Sequence, residues 1–346
     1  MKRRSLVVAV VVSISFLPAF FSIAQQTNIL PDGAKYVGNV GGFGDGKCNG
    51  QAITPDLARA AFDHLWQAFD RDYAMFVLRP EVDWTKLREQ YRPRAIAATS
   101  TREFAQICAQ MLKQLRDEHV WLTLAGDYVP VFNLPKHGNS NPSAYPAILG
   151  NMHNEGAVVK WAVTDDKVGF IAIYGWNDSD VPDRCQSALE HMRDTRGLIV
   201  DVRMNYGGNE EEAMSFAGRF IANVFTYAYD QVRNGPNHTD LTAKIPGKIA
   251  PVGPWRYDRP VILLIGQICE SSDESFIDMM TGDPLVTTMG DHTAGASGKT
   301  SLFLKAAVAE HEWILRASLN ASATELSGIW KEGGAPYPIA FARRSP

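Results

Sequence analysis

Apolar residues recur at helical spacing in the first third of the chain. Thr54 and Pro55 offer an N-cap and a proline at the first helical position, followed by apolar residues on one face: Leu57, Ala61, Phe62, Leu65 and Phe69. Ser100 to Glu103 spells a capping box, and a second apolar stripe follows it: Phe104, Ile107, Cys108, Met111, Leu112 and Leu115. The pattern predicts a helical N-terminal domain over residues 54–124.

Strand and helix patterns alternate from residue 167 onward. Four apolar runs are typical of buried strands: Val168 to Tyr174, Leu198 to Val202, Val261 to Ile265 and Leu285 to Met289. Helical patterns lie between them at Asp183 to Arg193 and Glu210 to Val224. This alternation predicts an α/β domain with a buried sheet and flanking helices over residues 167–346.

The remaining segments lack these periodic patterns. Residues 1–24 place three cations before an apolar stretch and end on Ser22-Ile23-Ala24, which is typical of a secretory signal peptide. A membrane anchor is the alternative, although the apolar stretch is short for a span. Residues 25–53, rich in glycine and asparagine, predict an irregular leader, and the proline-containing residues 125–166 predict a connector too short for a typical inserted domain. We expect export, either to the periplasm or as a secreted protein.

Charge and composition exclude several classes of function. The formal net charge of −4 becomes −7 once Lys2, Arg3 and Arg4 are removed with the signal peptide. Such an acidic chain is a poor nucleic-acid binder. The four cysteines form no C-x-x-C pair, and no H-E-x-x-H, P-loop, G-x-G-x-x-G or G-x-S-x-G motif occurs. We therefore expect no cofactor, no metal, no nucleic-acid partner and no stable membrane span after signal cleavage.

Ser271 lies where the apolar run Val261 to Ile265 gives way to a helical pattern. At a helix N-terminus the first N–H groups lack partners and the dipole is positive, so an oxyanion formed beside a serine there is stabilised. The same residues, Ser271 to Glu274, also spell a capping box. Taken alone, the motif is more typical of a helix cap than of a nucleophile.

Three further segments carry candidate chemistry. Gly207 and Gly208 follow the predicted strand at Leu198, where paired glycines allow backbone N–H groups to approach a ligand closely. His119 is preceded by two acidic residues and could act as a general base, although a single histidine is more often structural. A glycine-rich turn over residues 290–299 and a segment around Glu332 are loops when considered alone.

Taken in order, these segments resemble the tail-specific, or carboxyl-terminal processing, serine peptidases and their relatives, the tricorn protease core and the interphotoreceptor retinoid-binding protein modules. The matching residues are Asp201-Val202-Arg203 with Asn205 and the two glycines, Ser271 with Glu274, the turn at Gly290 to Gly295, and Glu332 ahead of Pro338. The resemblance implies a Clp protease/crotonase-like core after a small helical domain. It also implies that the connector holds no PDZ domain.

The resemblance also implies roles for individual residues. Ser271 corresponds to the nucleophile, with Glu274 the acidic residue three positions later. The N–H groups of Ser272 and of Gly207 or Gly208 correspond to the oxyanion hole.

The general base differs between branches of this family. In the tail-specific branch it is a lysine 25 residues after the serine, but that position here is Ala296, which cannot accept a proton. Lys299, three residues later, is the alternative base. The tricorn-like branch uses a histidine supported by a glutamate near the C-terminus, and His119 and Glu332 stand at those places.

One residue departs from the tricorn-like pattern. The tricorn core has a serine immediately before its histidine, whereas this chain has Glu118. We expect Glu118 or Asp117 to orient the His119 ring directly.

The sequence thus favours an exported serine-type peptidase that acts on a peptide or protein substrate through an acyl-enzyme. Two alternatives stay open: a non-catalytic module that binds a hydrophobic ligand on the same fold, and an esterase or amidase that uses the same serine. Substrate sequence and oligomeric state are not determined by these patterns.

Overall fold

The structure is a computed structural model that describes residues 51–124 and 127–297, together with the backbone of four later strands. Those strands are β11 (Leu302–Val308), β12 (His311–Ala317), β13 (Trp330–Glu332) and β14 (Ala335–Tyr337). They pair antiparallel as two hairpins, β11 with β12 and β13 with β14. The predicted signal peptide and nearly all of the predicted leader lie outside the described residues.

The N-terminal unit consists of three helices, α1 (Pro55–Asp72), α2 (Trp84–Ile96) and α3 (Thr101–Leu112). The predicted caps form, because Thr54 Oγ1 accepts the Leu57 N–H at 3.3 Å and Ser100 Oγ accepts the Glu103 N–H at 3.2 Å. The predicted helical domain is therefore confirmed.

Helix α2 did not stand out in the sequence, because it contains Pro93 and buries only three residues. Its Trp84 ring stacks on Trp66 with centroids 6.2 Å apart, so α2 is held by aromatic packing.

The core is a six-stranded sheet in the order β10-β9-β6-β5-β4-β3. The four strands β5 (Val168–Ile173), β6 (Gly197–Asp201), β9 (Val261–Ile265) and β10 (Val286–Gly290) are parallel, whereas β3 (His153–Glu155) and β4 (Val159–Val163) are antiparallel. Helices α5 (Val181–His191), α6 (Glu210–Ala217) and α7 (Ser272–Thr281) share one hydrophobic core with the sheet. The predicted α/β core is confirmed.

Smaller elements complete the described chain. Strands β1 (Leu122–Leu124) and β2 (Asp127–Val129) form one hairpin, and β7 (Phe225–Asp230) and β8 (Ile245–Ile249) form another. A short helix α4 (Tyr145–Leu149) lies between the connector and the sheet. Among residues 51–124 and 127–297, no helix has the length and apolar character needed to cross a bilayer.

The connector is shorter than the sequence predicted. Residues 153–163 lie within the predicted connector, yet they form β3 and β4 at one edge of the core sheet. The signal was weak because β4 spans only five residues and includes Lys160, although Val159, Trp161 and Ala162 are buried. Only residues 125–152, about the first two thirds of the predicted connector, therefore lie between the two units.

Parallel strands bring the candidate residues to one edge of the sheet. β6 and β9 are hydrogen-bonded neighbours, so their carboxyl ends lie side by side. The segment after β6 carries Gly207 and Gly208, and the segment after β9 carries Ser271. Ligand sites of open α/β sheets form at this edge.

Candidate active site

Ser271 is the residue immediately before helix α7, and its backbone is strained. Its φ of 58° and ψ of −128° lie in a region that L-residues rarely adopt. The side chain makes no capping hydrogen bond to the helix. The helix-cap interpretation of this serine is therefore wrong.

A comparison with Ser100 shows how differently one motif is used. At Ser100 the capping box closes, because Glu103 turns back to accept the Thr99 N–H at 2.9 Å while Ser100 caps the helix. Glu274 instead points away from its own helix end and accepts the Gly295 N–H at 2.8 Å, together with the Thr293 hydroxyl. Glu274 therefore binds the glycine turn, and no reciprocal capping box forms at Ser271.

Gly207 and Gly208 lie against the serine turn with φ values of 95° and 140°. A Cβ added to Gly207 would stand 2.7 Å from both the Ser271 Cβ and the Glu270 carbonyl oxygen, so only glycine fits there. The backbone of Trp176 holds the pair in place, since its N–H donates to the Gly207 carbonyl at 2.9 Å. Close approach of this segment to Ser271 thus requires the glycine.

The backbone N–H groups around Ser271 differ in their partners. The Gly207 N–H donates to Asn205 Oδ1 at 2.9 Å, whereas the Gly208 N–H has no acceptor among the described residues. The Ser272 hydroxyl donates to the Gly208 carbonyl and so ties the start of α7 to this glycine. Of the two glycines, Gly208 therefore has the N–H available to a ligand, beside the first helical N–H of Ser272.

Asp273 joins helix α7 to Trp176, the residue whose backbone holds the glycine pair. Its carboxyl is fully buried and accepts the Trp176 indole N–H at 3.1 Å. Burial raises the pKa of Asp273 well above its usual range, because the charged form is poorly solvated there. The sequence offered no signal for this contact, because 97 residues separate the partners.

The predicted glycine turn packs directly on the serine. The Ser271 N–H donates to the Ala296 carbonyl at 3.1 Å, and the Ala294 N–H donates to the Cys269 carbonyl at 2.9 Å. Position 296 thus lies beside Ser271, yet it carries only a methyl group. Lys299 lies outside the described residues.

The carboxyl of Glu274 is buried and titrates near neutrality. Burial raises its pKa to about 7, although hydrogen bonds from Thr293, Gly295 and Ala296 act in the opposite direction. The pKa of Glu274 is higher in the folded state than in the unfolded state. The contribution of Glu274 to the free energy of unfolding is therefore fully present at low pH. It is lost as the pH rises from about 4.5 through about 7.

We expect Glu274→Gln to flatten the fall in stability across that pH range. The amide keeps the oxygen that accepts the Gly295 N–H and cannot ionise, so the variant should gain on the order of 3 kcal/mol over wild type between pH 5 and pH 8. Urea unfolding at several pH values measures this difference. The exposed Glu89→Gln is the matched control and should follow the wild-type curve. Parallel curves for wild type and Glu274→Gln would contradict the assignment.

His119 lies in a turn that begins with the left-handed residue Arg116, whose φ is 52°. The ring is buried, and its Nδ1 has no hydrogen-bond partner. Burial, followed by the positive charge of Lys136, lowers the pKa of His119 to about 4. The imidazole is therefore neutral at physiological pH and can accept a proton.

The expectation that Asp117 or Glu118 orients the His119 ring is wrong. Asp117 Oδ1 accepts the His119 backbone N–H at 2.8 Å, and its other oxygen accepts the Tyr73 hydroxyl at 2.8 Å. Glu118 turns to the connector, where it accepts the Leu134 N–H at 3.0 Å. Both carboxylates bind other groups, and the sequence alone did not determine these partners.

The remaining predicted residues occupy separate places. Glu332 ends strand β13, and its backbone pairs with Ala335, while its side chain lies outside the described part of the molecule. Cys108, Cys185 and Cys269 are free and buried. Within the described ranges, no group of three or more His, Cys, Asp or Glu residues is arranged to hold a metal ion.

Two family models match parts of this chain. The model of peptidase family S41 matches residues 167–322, and the model of the tricorn protease C1 domain matches residues 57–113. Together the two models cover more than half of the chain. A search among curated protein sequences finds no significant match.

Solved structures share the fold. A peptidase-like protein from Parabacteroides merdae superposes with a TM-score of 0.65 at 24% identity, covering 77% of this chain and 83% of that one. Mature CPAF superposes with a TM-score of 0.56 at 11% identity, covering 76% of this chain and 89% of its own. CPAF complexed with lactacystin gives 0.54 at 11%, covering 78% and 93%.

The helical unit, the mixed sheet and the matched domains define the class of this protein as a serine-type peptidase. Its core, residues 167–322, matches peptidase family S41, which confirms the resemblance predicted from the sequence.

Proposed function

We propose that the chain hydrolyses peptide bonds in peptide or protein substrates, with Ser271 as the nucleophile that forms an acyl-enzyme. The observation that carries this proposal is the strained Ser271 turn, whose side chain makes no capping bond and which is packed against Gly207. A strained residue at a helix N-terminus is over-determined by its surroundings, which is typical of functional sites.

The oxyanion of the tetrahedral intermediate would be held by two backbone donors. We assign these donors to the N–H groups of Ser272 and Gly208, since the Gly207 N–H is already bonded to Asn205. Gly207 supports the site by close approach, and Glu274 supports it by holding the turn whose Ala296 carbonyl accepts the Ser271 N–H. Preorganised donors of this kind contribute about 3–4 kcal/mol each to catalysis.

The proposed general base is His119. Its neutral imidazole can take the Ser271 proton, and the residues that precede these two in the chain, Glu118 and Glu270, both bind Lys136. Ala296 disfavours the lysine mechanism of the tail-specific branch, and Glu332 remains the proposed support for the imidazolium.

The setting of the reaction rests on the first residues of the chain. We propose that the protein is exported, because residues 1–24 have the pattern of a signal peptide. The connector up to β3 is far too short for a separate peptide-recognition domain, so substrate selection would lie with the core itself.

The proposal is tested by active-site labelling. A fluorophosphonate probe acylates an activated serine, so wild type should be labelled and Ser271→Ala should not. The matched control is Ser275→Ala, which removes a hydroxyl one helical turn further along α7 and should label like wild type. Cleavage of casein or of a peptide library by the same proteins then tests the substrate class.

Each other outcome names an alternative. If the wild-type protein shows no label that depends on Ser271, the proposed peptidase activity is overturned. That result would favour a module that binds a hydrophobic ligand. Label at Ser271 with ester or amide turnover but no peptide cleavage would make the protein an esterase or amidase.

A further inference from the structure

Lys136, a connector residue, contacts both the helical N-terminal unit and the core. Its ammonium contacts Glu270 Oε2 and lies 3.2 Å from Glu118 Oε1. Glu118 immediately precedes His119, and Glu270 immediately precedes Ser271. One side chain from the connector thus binds the neighbour of each proposed catalytic residue.

The three charged groups are withdrawn from solvent. The side chains of Lys136, Glu118 and Glu270 are 10%, 7% and 25% exposed. Removing one member of a buried ionic group leaves its partners unpaired in a poorly solvated place, at a substantial energetic cost. Burial lowers the pKa of Lys136, but the two carboxylates outweigh burial and raise it, so the ammonium stays charged.

The connector on both sides of Lys136 is fastened to the site as well. The Leu134 N–H donates to Glu118, the His137 N–H donates to Gln267 Oε1 at 3.0 Å, and Asn139 Nδ2 donates to the Ile265 carbonyl at 3.0 Å. Residues 134–139 therefore lie along the segment that carries Ser271. Lys136 is the point in this stretch where an ionic contact reaches both units.

We propose that Lys136 is a positioning residue that fastens the His119 turn to the Ser271 turn through Glu118 and Glu270. This inference rests on the proposed peptidase function. It predicts that changes in the ionic group affect the alignment and the proton affinity of His119 in a defined direction.

The direction follows from the charges that face His119. The positive charge of Lys136 disfavours the imidazolium. By the same rule, a carboxylate near the ring favours the imidazolium. Several titratable and charged groups belong to the His119 turn or are bound to it, directly or through a partner. They are Asp117, Glu118, Tyr73, Arg79, Lys136 and Glu270.

The test measures kcat/KM against pH and titrates the His119 ring by NMR in the full chain. Lys136→Gln should lower kcat/KM by about 10²-fold, the effect of a misplacement of about 1 Å. It should also move the acidic limb and the His119 pKa to higher pH, because a positive charge is lost. Lys136→Arg should restore most of the activity. Glu270→Gln should move the limb and the pKa to lower pH, because a negative charge is lost.

Lys248→Gln, an exposed lysine on β8, is the matched control and should leave both curves unchanged. Loss of activity in Lys136→Gln without movement of the His119 titration would overturn the proposal, as would wild-type activity in that variant. If Lys136→Gln does not fold, the downward shift in Glu270→Gln decides the matter. The NMR titration is independent of turnover, and failure of the proposed function is read separately from Ser271 labelling.

Discussion

Replacing His119 by alanine is expected to reduce kcat/KM for a peptide substrate by at least about 10³-fold, and adding Ser271→Ala should cost little more. Residues that act together in one proton transfer are strongly non-additive, because either loss removes the activated nucleophile. Steady-state kinetics of the two single variants and the double variant measure this effect.

The comparison variant for His119 is Lys299→Ala. If His119 is the base, Lys299→Ala keeps most of the wild-type rate, since position 296, where the lysine of the tail-specific branch would stand, carries a methyl group beside Ser271. Turnover retained in His119→Ala but lost in Lys299→Ala would transfer the role to the lysine and make the site a serine and lysine dyad.

Gly207→Ala should be strongly damaging, because the added methyl group meets the serine turn itself. The new Cβ would stand 2.7 Å from the Ser271 Cβ and the Glu270 carbonyl oxygen, and residue 207 has a φ of 95°. Backbone cannot yield as a flexible side chain can, so the serine turn must move. We expect a loss of more than about 10²-fold in kcat/KM and a clear fall in thermal stability.

Gly150→Ala separates conformational strain from steric clash. Gly150 has a φ of 78°, yet an added Cβ there would meet no atom within 4 Å. Its substitution should cost about 1–3 kcal/mol of unfolding free energy from the backbone alone and leave kcat/KM unchanged. Equal effects of the two substitutions on activity would show that Gly207 does not shape the serine turn.

Much of the fold could be predicted from the local pattern of apolar and polar residues. The helices after Thr54 and Ser100 bury one face, so their apolar residues recur at helical spacing. The strands β5, β6 and β9 are buried and form continuous apolar runs. Both patterns can be recognised in the sequence. Strand β4 was missed because it is only five residues long and Lys160 interrupts its apolar residues.

The candidate site could also be predicted from the sequence only in part. Sequence order placed Ser271 at a strand-to-helix junction and the two glycines after the neighbouring strand, and parallel pairing of β6 with β9 makes those positions adjacent. The order of the residues along the chain did not predict which group each side chain contacts. Ser100 and Ser271 begin the same four-residue motif, yet only Ser100 caps its helix.

The difference has a physical cause. A capping box can close only where the serine keeps an extended backbone, and Ser100 does so at φ −136°. Packing against Gly207 and Ala296 holds Ser271 at a positive φ instead, while the loop at Gly295 takes up Glu274. The sequence by itself determined the elements and the order of the candidate residues along them. Long-range contacts decided which of those residues face one another, because hydrogen bonds and charges between distant segments leave no periodic trace in the chain.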